Sequence, residues 1–182
     1  MNGKIIEAKC LREKAEFTIK PNKSGVESGI YKWWASKSEI KAIFDALEIN
    51  LNDVINGVEK KEDENLYAIY VGQAGSLEQR LKNNHVNGRS RSTFRKSIGA
   101  ILLKISGQKN LYENINGFID KLKIEYKFVD GNNNLDEEEK KEIGKKYLRV
   151  FNGQHNSQNE FRKQFDITKK LNDLRSAFEK NL

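Results

Sequence analysis

The chain has 182 residues, 37% of them apolar and 32% charged, with a formal net charge of +7. That length predicts one domain with a real core, and the composition excludes a disordered chain. No stretch approaches the roughly eighteen consecutive apolar residues of a membrane span, and one cysteine with two histidines excludes an internal disulfide and argues against a structural zinc finger.

The N-terminal stretch MNGKIIEAKCLREK has no apolar signal region, so a cytoplasmic location is expected, and the lone Cys10 fits it. Pro21 and the residues after it form a turn between Ala15–Ile19 and Gly29–Ala35. The aromatic-rich GIYKWWA of residues 29–35 reads as a strand. Ser38 is placed to cap a helix in which Ile40, Ile43, Phe44 and Leu47 recur at helical spacing. The polar stretch Asn50–Asn65 reads as a loop, and Leu66–Val71 as a second strand ending at Gly72. Ser76 begins a helix. Ser92 or Thr93 caps the next, whose stripe is Phe94, Ile98, Ile101, Leu102 and Ile105. Tyr112–Leu122 reads as a helix and Ile124–Val129 as a third strand. Asp136 with Glu139 forms a capping-box pattern for a helix running toward Arg149, and Ile167–Glu179 is a final amphipathic helix. The sum is an α+β fold: a three-stranded sheet with helices packed on it.

Charge is unevenly spread. Arg80, Lys82, Arg89, Arg91, Arg95 and Lys96 crowd the stretch 80–96 without an acid among them, while acids gather at 59–64 and 136–142. A basic block interleaved with Asn, Ser, Thr and His suits a phosphate-tracking surface, and binding there is driven by counterion release. The competing reading is a solvated loop between helices.

Two strands carry tyrosines in glycine contexts: Gly29-Ile30-Tyr31, and Tyr70-Val71-Gly72. Arg80 and His85 follow on the next helix. Strand tyrosines are commonly core residues with one wet hydroxyl. Taken together, however, these motifs resemble the GIY-YIG nuclease family. YVGQAGSLEQRL is similar to the family's excision-repair subunits, and NGRSRSTFRKSIGAIL with NGQHN is similar to a stand-alone bacterial branch. The resemblance covers Gly29 to Asn156. It implies a three-stranded antiparallel sheet with helices, a domain at 28–156 with an N-terminal extension (1–27) and a C-terminal helical extension (157–182) packed on it, and a helix inserted between the first two strands.

The implied activity is hydrolysis of DNA phosphodiester bonds with Mg²⁺ or Mn²⁺. Tyr31 and Tyr70 would hydrogen-bond water or phosphate, one of them as general base. Arg80 would clamp the phosphate with its fork of donors, and His85 would pass a proton or bind phosphate. Gly72, Arg89, Arg91, Arg95, Lys96 and Asn152 would meet the substrate. The family's metal-binding glutamate lies about twelve residues before the asparagine matched by Asn152, and that register falls on Lys140. Glu139, one residue away, is the first candidate for metal ligand and catalytic acid, Glu142 the alternative, and Glu137 is also near. All these acids could instead serve the helix macrodipole. Gln73 stands where many relatives carry lysine.

A restriction-type or self-standing endonuclease is favoured over a repair subunit, and a double-strand cut from one active site per chain would call for a homodimer. Two alternatives remain open: a catalytically impaired nucleic-acid-binding protein on the same fold, for which Lys140 argues, and a helix-turn-helix regulator, for which the turn is long. Trp33 and Trp34 could stack on bases, although strand alternation puts one of them inward.

Overall fold

A computed structural model describes residues 3–13, 18–23, 25–88, 92–107, 110–130, 134–144, 146–153 and 155–181. Its centre is the strand β2 (Gly29–Ala35), every residue of which is buried. A strand covered on both faces reads as an unbroken apolar run, and GIYKWWA departs from that only at Lys32. Tyr31, Trp33 and Ala35 join the main core; Ile30 and Trp34 belong to smaller clusters on the opposite face. Strand β4 (Leu66–Ala74) pairs with one edge of β2 and β5 (Lys123–Phe128) with the other, both antiparallel.

Among the described residues the sheet has five strands, with β1 (Lys4–Glu7) and β3 (Lys60–Lys61) at its margins in the order β1-β5-β2-β4-β3, so the expectation of three is corrected. The additional strands are β1, paired with β5, and β3, paired with β4. Both are short edge strands held by backbone pairing, and neither carries the apolar alternation that marks a strand in sequence. Helix α1 (Ala8–Glu13) follows β1. Part of Ala15–Ile19 lies outside the described residues.

Helix α2 (Lys37–Ala46) starts two residues earlier than expected. Ser36 is its N-cap, accepting from the Ser38 N–H. The stretch expected as a loop contains a helical turn, α3 (Leu51–Val54), capped by Asn50. After β4, residues Gln79–Val86 form a π-helix, and Ser92 caps α4 (Thr93–Ser106). α5 (Leu111–Asp120) leads into β5. α6 (Leu135–Ile143) is capped by Asn134 and not Asp136, and ends at Gly144 with φ +57. It therefore stops well short of Arg149, because a left-handed glycine terminates it. α7 (Glu160–Gln164) and α8 (Ile167–Glu179) complete the chain.

The segment before α7 lies along the outer edge of β4. The Leu148 N–H donates to the Gly57 carbonyl at 2.7 Å and the Phe151 N–H to that of Ile69 at 3.1 Å. α8 packs on α4, where the Phe178 ring occupies the space a side chain at Gly99 would need. Phe178→Ala is expected to lower unfolding free energy by about 3–5 kcal/mol, the usual cost of emptying a buried phenylalanine site. Urea titration checks this, and an unchanged midpoint would mean that α8 is dispensable to the core.

Candidate active site

The pairing of β2 with β4 sets the geometry. Tyr31 stands opposite Gly72 and Trp33 opposite Tyr70, and the register slips between Trp33 and Trp34, which faces Ala68. This bulge turns the consecutive residues Ile69 and Tyr70 toward the same core face, the re-aiming that bulges commonly provide. Tyr31 leans over Gly72, and a methyl group at position 72 would collide with its phenol. The two tyrosine rings lie 6.2 Å apart, tilted by 47°, and each hydroxyl acts on the other's proton affinity.

The π-helix brings in the next pair. Residues five apart on an α-helix lie about 140° around its axis; the wider i→i+5 turn, seen in the Asn87 N–H donating to the Lys82 carbonyl at 2.9 Å, swings them toward one face. His85 thus reaches Tyr31, with Nε2 2.8 Å from the tyrosine hydroxyl, while its Nδ1 lies 2.6 Å from Ser92 Oγ. Burial, with help from Arg80 and Arg95, drives the His85 pKa down to about 3, so the ring is neutral and carries one proton. Either Ser92 donates to Nδ1 and Nε2–H donates to Tyr31, or the Tyr31 hydroxyl donates to Nε2 and Nδ1–H to Ser92.

Burial also holds Tyr31 well above the ordinary phenol range, with Tyr70 and Glu139 adding to the effect and Arg80 opposing it. Tyr70, less enclosed, is raised by burial and by Glu139, and drawn back by the neighbouring Tyr31 hydroxyl and by Arg80 and Arg175. Of the two, Tyr70 borders solvent: it is partly buried, whereas Tyr31 is only 1% exposed. Glu139, on α6, is half-buried, and burial, then Asp136, raises its carboxyl against the pull of Arg80. Arg80 itself is exposed. Two hydroxyls, an imidazole, a guanidinium and a carboxylate therefore share one electrostatic neighbourhood.

Asn152 supports this arrangement from the edge of β4. Its Oδ1 accepts from the Val71 N–H and its Nδ2 donates to the Val71 carbonyl, both at 2.8 Å. This two-point clamp fixes the backbone between Tyr70 and Gly72, so Asn152, expected at the substrate, is committed to the strand.

Residues 29–177 match the profile of the GIY-YIG catalytic domain. The chain belongs to the GIY-YIG family. It is accordingly a nuclease, a phosphodiester hydrolase, and the helix-turn-helix alternative is set aside. Neither the curated proteins nor the solved structures contain a match to the chain.

Within this GIY-YIG domain the basic block divides. Arg89 and Arg91 lie outside the described residues. Arg95, expected on the DNA-facing surface, is 1% exposed; it donates to the carbonyls of His85 and Val86 and to Asn116, closing the end of the π-helix. Lys96 pairs with Glu179 at 2.7 Å and Lys82 with Glu78 at 3.7 Å. Both tryptophans are interior: Trp33 stacks on Phe94 at 4.3 Å and Trp34 donates to Glu125. Glu142, the alternative metal ligand, is ion-paired with Lys32 at 2.5 Å; although burial pushes its carboxyl up, the ammonium outweighs this and holds it low. Glu137 is exposed at the start of α6, and Gln73 donates to Asp136.

Arg175, on α8, enters unannounced by the sequence motifs. It donates to Ser97 Oγ from Nη2 at 2.6 Å and from Nε at 3.0 Å, and its charge is felt by Tyr70. Its only signal in sequence is a cation flanking the apolar stripe of the last helix.

The neutral His85 has a consequence for stability. Above pH 6.5 the ring is uncharged in both folded and unfolded chains; below it, down to about 3, the unfolded chain gains a proton that the fold refuses. Stability from this group should therefore fall by about 1.4 kcal/mol for each pH unit below 6.5. Urea melts between pH 7 and 4.5 test this against His85→Gln, whose slope should be shallower; identical slopes would contradict a buried neutral ring.

Proposed function

We propose that the protein is a metal-dependent DNA endonuclease whose active site is Tyr31, Tyr70, Arg80, His85 and Glu139. The observation that carries this reading is that Arg80 and Glu139 both act electrostatically on the paired tyrosines. Glu139 makes no hydrogen bond or ion pair among the described residues, and neither does the Arg80 side chain, so both are available to a ligand.

No group of three or more His, Cys, Asp or Glu side chains converges among the described residues. Mg²⁺ keeps several waters and needs few protein carboxylates, so Glu139 alone suits Mg²⁺ or Mn²⁺. When bound, the ion would offset charge on the phosphoryl oxygens and make water more acidic. Hydrolysis adds water across one P–O ester bond, leaving a phosphomonoester and a free hydroxyl. Tyr70, at the rim, accepts a hydrogen bond from the attacking water and aims it in line. Tyr31 holds the Tyr70 hydroxyl from behind, and His85 with Ser92 fixes Tyr31. With a pKa of about 3, His85 orients and does not store a proton; its ring is buried, so it does not bind phosphate. Arg80 clamps the phosphate by bidentate hydrogen bonds.

The catalytically impaired alternative drew on Lys140. That residue is exposed, while its neighbour Glu139 is half-buried and feels the charge of Arg80, which favours hydrolysis. The proposal extends to a self-standing, restriction-type role in the cytoplasm, in which cutting both strands would need two copies. No helix among the described residues is long and apolar enough to cross a membrane.

Incubation with plasmid and duplex DNA should give cleavage with Mg²⁺ or Mn²⁺ and none with chelator. Tyr70→Phe, Arg80→Ala and Glu139→Gln should each reduce kcat by about 10²–10³, the range for loss of one catalytic donor or acid–base group, while gel-shift binding persists. Cleavage undiminished in all three variants would remove the assignment.

A further inference from the structure

Directly behind Tyr31, on the opposite face of the sheet, Lys32 is 0% exposed. Its ammonium has three donors. Two meet the Glu59 carboxylate at 3.0 and 2.9 Å, and the third meets Glu142 Oε1 at 2.5 Å. Arg149, itself buried, closes the group by donating to Glu59. Lys32, Arg149, Glu59 and Glu142 thus meet beneath the strand that carries Tyr31.

A buried ion pair is weak evidence for stability, since apolar side chains of similar volume commonly do as well or better. What an apolar contact lacks is direction. Helix α6 rests on the sheet through Ile143 and Leu135 against Ile30, Val71 and Val129, contacts that tolerate rotation and sliding. Two other polar tethers, Lys127 to Glu138 at 3.3 Å and Gln73 to Asp136, are more exposed. The Lys32–Glu142 pair is made by a fully buried ammonium, and the buried Arg149 adds a longer bond to the Glu142 carbonyl at 3.4 Å. Glu142 lies one turn beyond Glu139, and residues three apart are neighbours on a helix surface. Since the Glu139 carboxylate has no polar partner of its own among the described residues, the helix alone decides where it stands.

We infer that Lys32 and Glu142, seated on Glu59 and Arg149, are positioning residues that fix the Glu139 carboxylate relative to Tyr31 and Tyr70. The link is short: Lys32 is bonded in sequence to Tyr31, and Glu142 shares a rigid turn with Glu139. This rests on the assignment of Glu139 as the metal carboxylate. Partners that orient a metal ligand typically cost 10–100-fold in metal affinity or activity when removed.

The test uses the full chain with Lys32→Met, Glu142→Gln and the milder Glu142→Asp, which keeps the charge and shortens the reach. Mn²⁺ binding is followed by electron paramagnetic resonance in the presence of uncleavable duplex DNA, alongside kcat, KM for DNA and thermal melting. The expected result is a Mn²⁺ dissociation constant raised about 10–100-fold and a reduced kcat, with KM for DNA unchanged and well-formed folded baselines. Should Lys32→Met fail to fold, Glu142→Asp carries the measurement. Variants that melt earlier yet bind Mn²⁺ as the unaltered protein does would show a purely structural cluster and overturn the inference. Glu139→Gln separates the two levels. If it leaves Mn²⁺ binding intact, the Glu139 assignment falls and the inference with it; if it abolishes binding while the other variants do not shift it, the inference alone falls.

Discussion

Tyr31 needs empty space, and Gly72 provides it. The phenol lies across the neighbouring strand at the point where β4 has no side chain, which brings its hydroxyl to His85 on one side and Tyr70 on the other. Any larger residue at 72 would push the ring off the strand and break the Tyr31–His85 hydrogen bond. The bulge at Ile69 and the Asn152 clamp on Val71 serve the same end. One turns Tyr70 to the face that Tyr31 occupies; the other holds still the short piece of backbone between them. The site is thus a property of strand register before it is a property of side chains.

The electrostatics follow from that enclosure. Hydroxyls and a neutral imidazole fill the interior, and the formal charges stand toward the rim as Arg80 and Glu139. Low-dielectric surroundings strengthen hydrogen bonds between the inner groups and make a proton on His85 costly. The outer charges make no hydrogen bond or ion pair among the described residues. On the far side of the sheet the opposite solution appears, with the buried cations Lys32 and Arg149 paired to partly buried carboxylates.

Sequence patterning made the central elements legible. GIYKWWA, Leu66–Val71 and the helices around Phe94 and Ile167 carry strong apolar periods, and the spacing of Tyr31, Tyr70 and Arg80 carried the family. What was hidden depended on contacts between distant residues. β1 and β3 pair through backbone and have little apolar content to betray them. Arg95 sits in a basic run that looks like a phosphate-binding surface, and only the fold shows its donors spent on the end of the π-helix. Glu139 and Glu142 are equivalent in a run of acids until Lys32, more than a hundred residues earlier, claims one of them. The cap of α6 moved from Asp136 to Asn134 because an adjacent amide reached the first free N–H sooner.

The segment at 148–152 that lies against β4 has a further effect on assembly. A strand with free amides invites addition of a foreign strand, and so promotes domain swapping or fibrous stacking. Here Phe151 and the Asn152 amide occupy the row at Ile69 and Val71, while Leu148 pairs with the chain at Gly57 and Val58. At the other margin, β1 is only four residues long, with exposed Lys4 and Glu7 at its ends. Part of the margin of β4 is thus withheld from a foreign strand by the segment at 148–152, and its register with β2 is shielded from re-pairing.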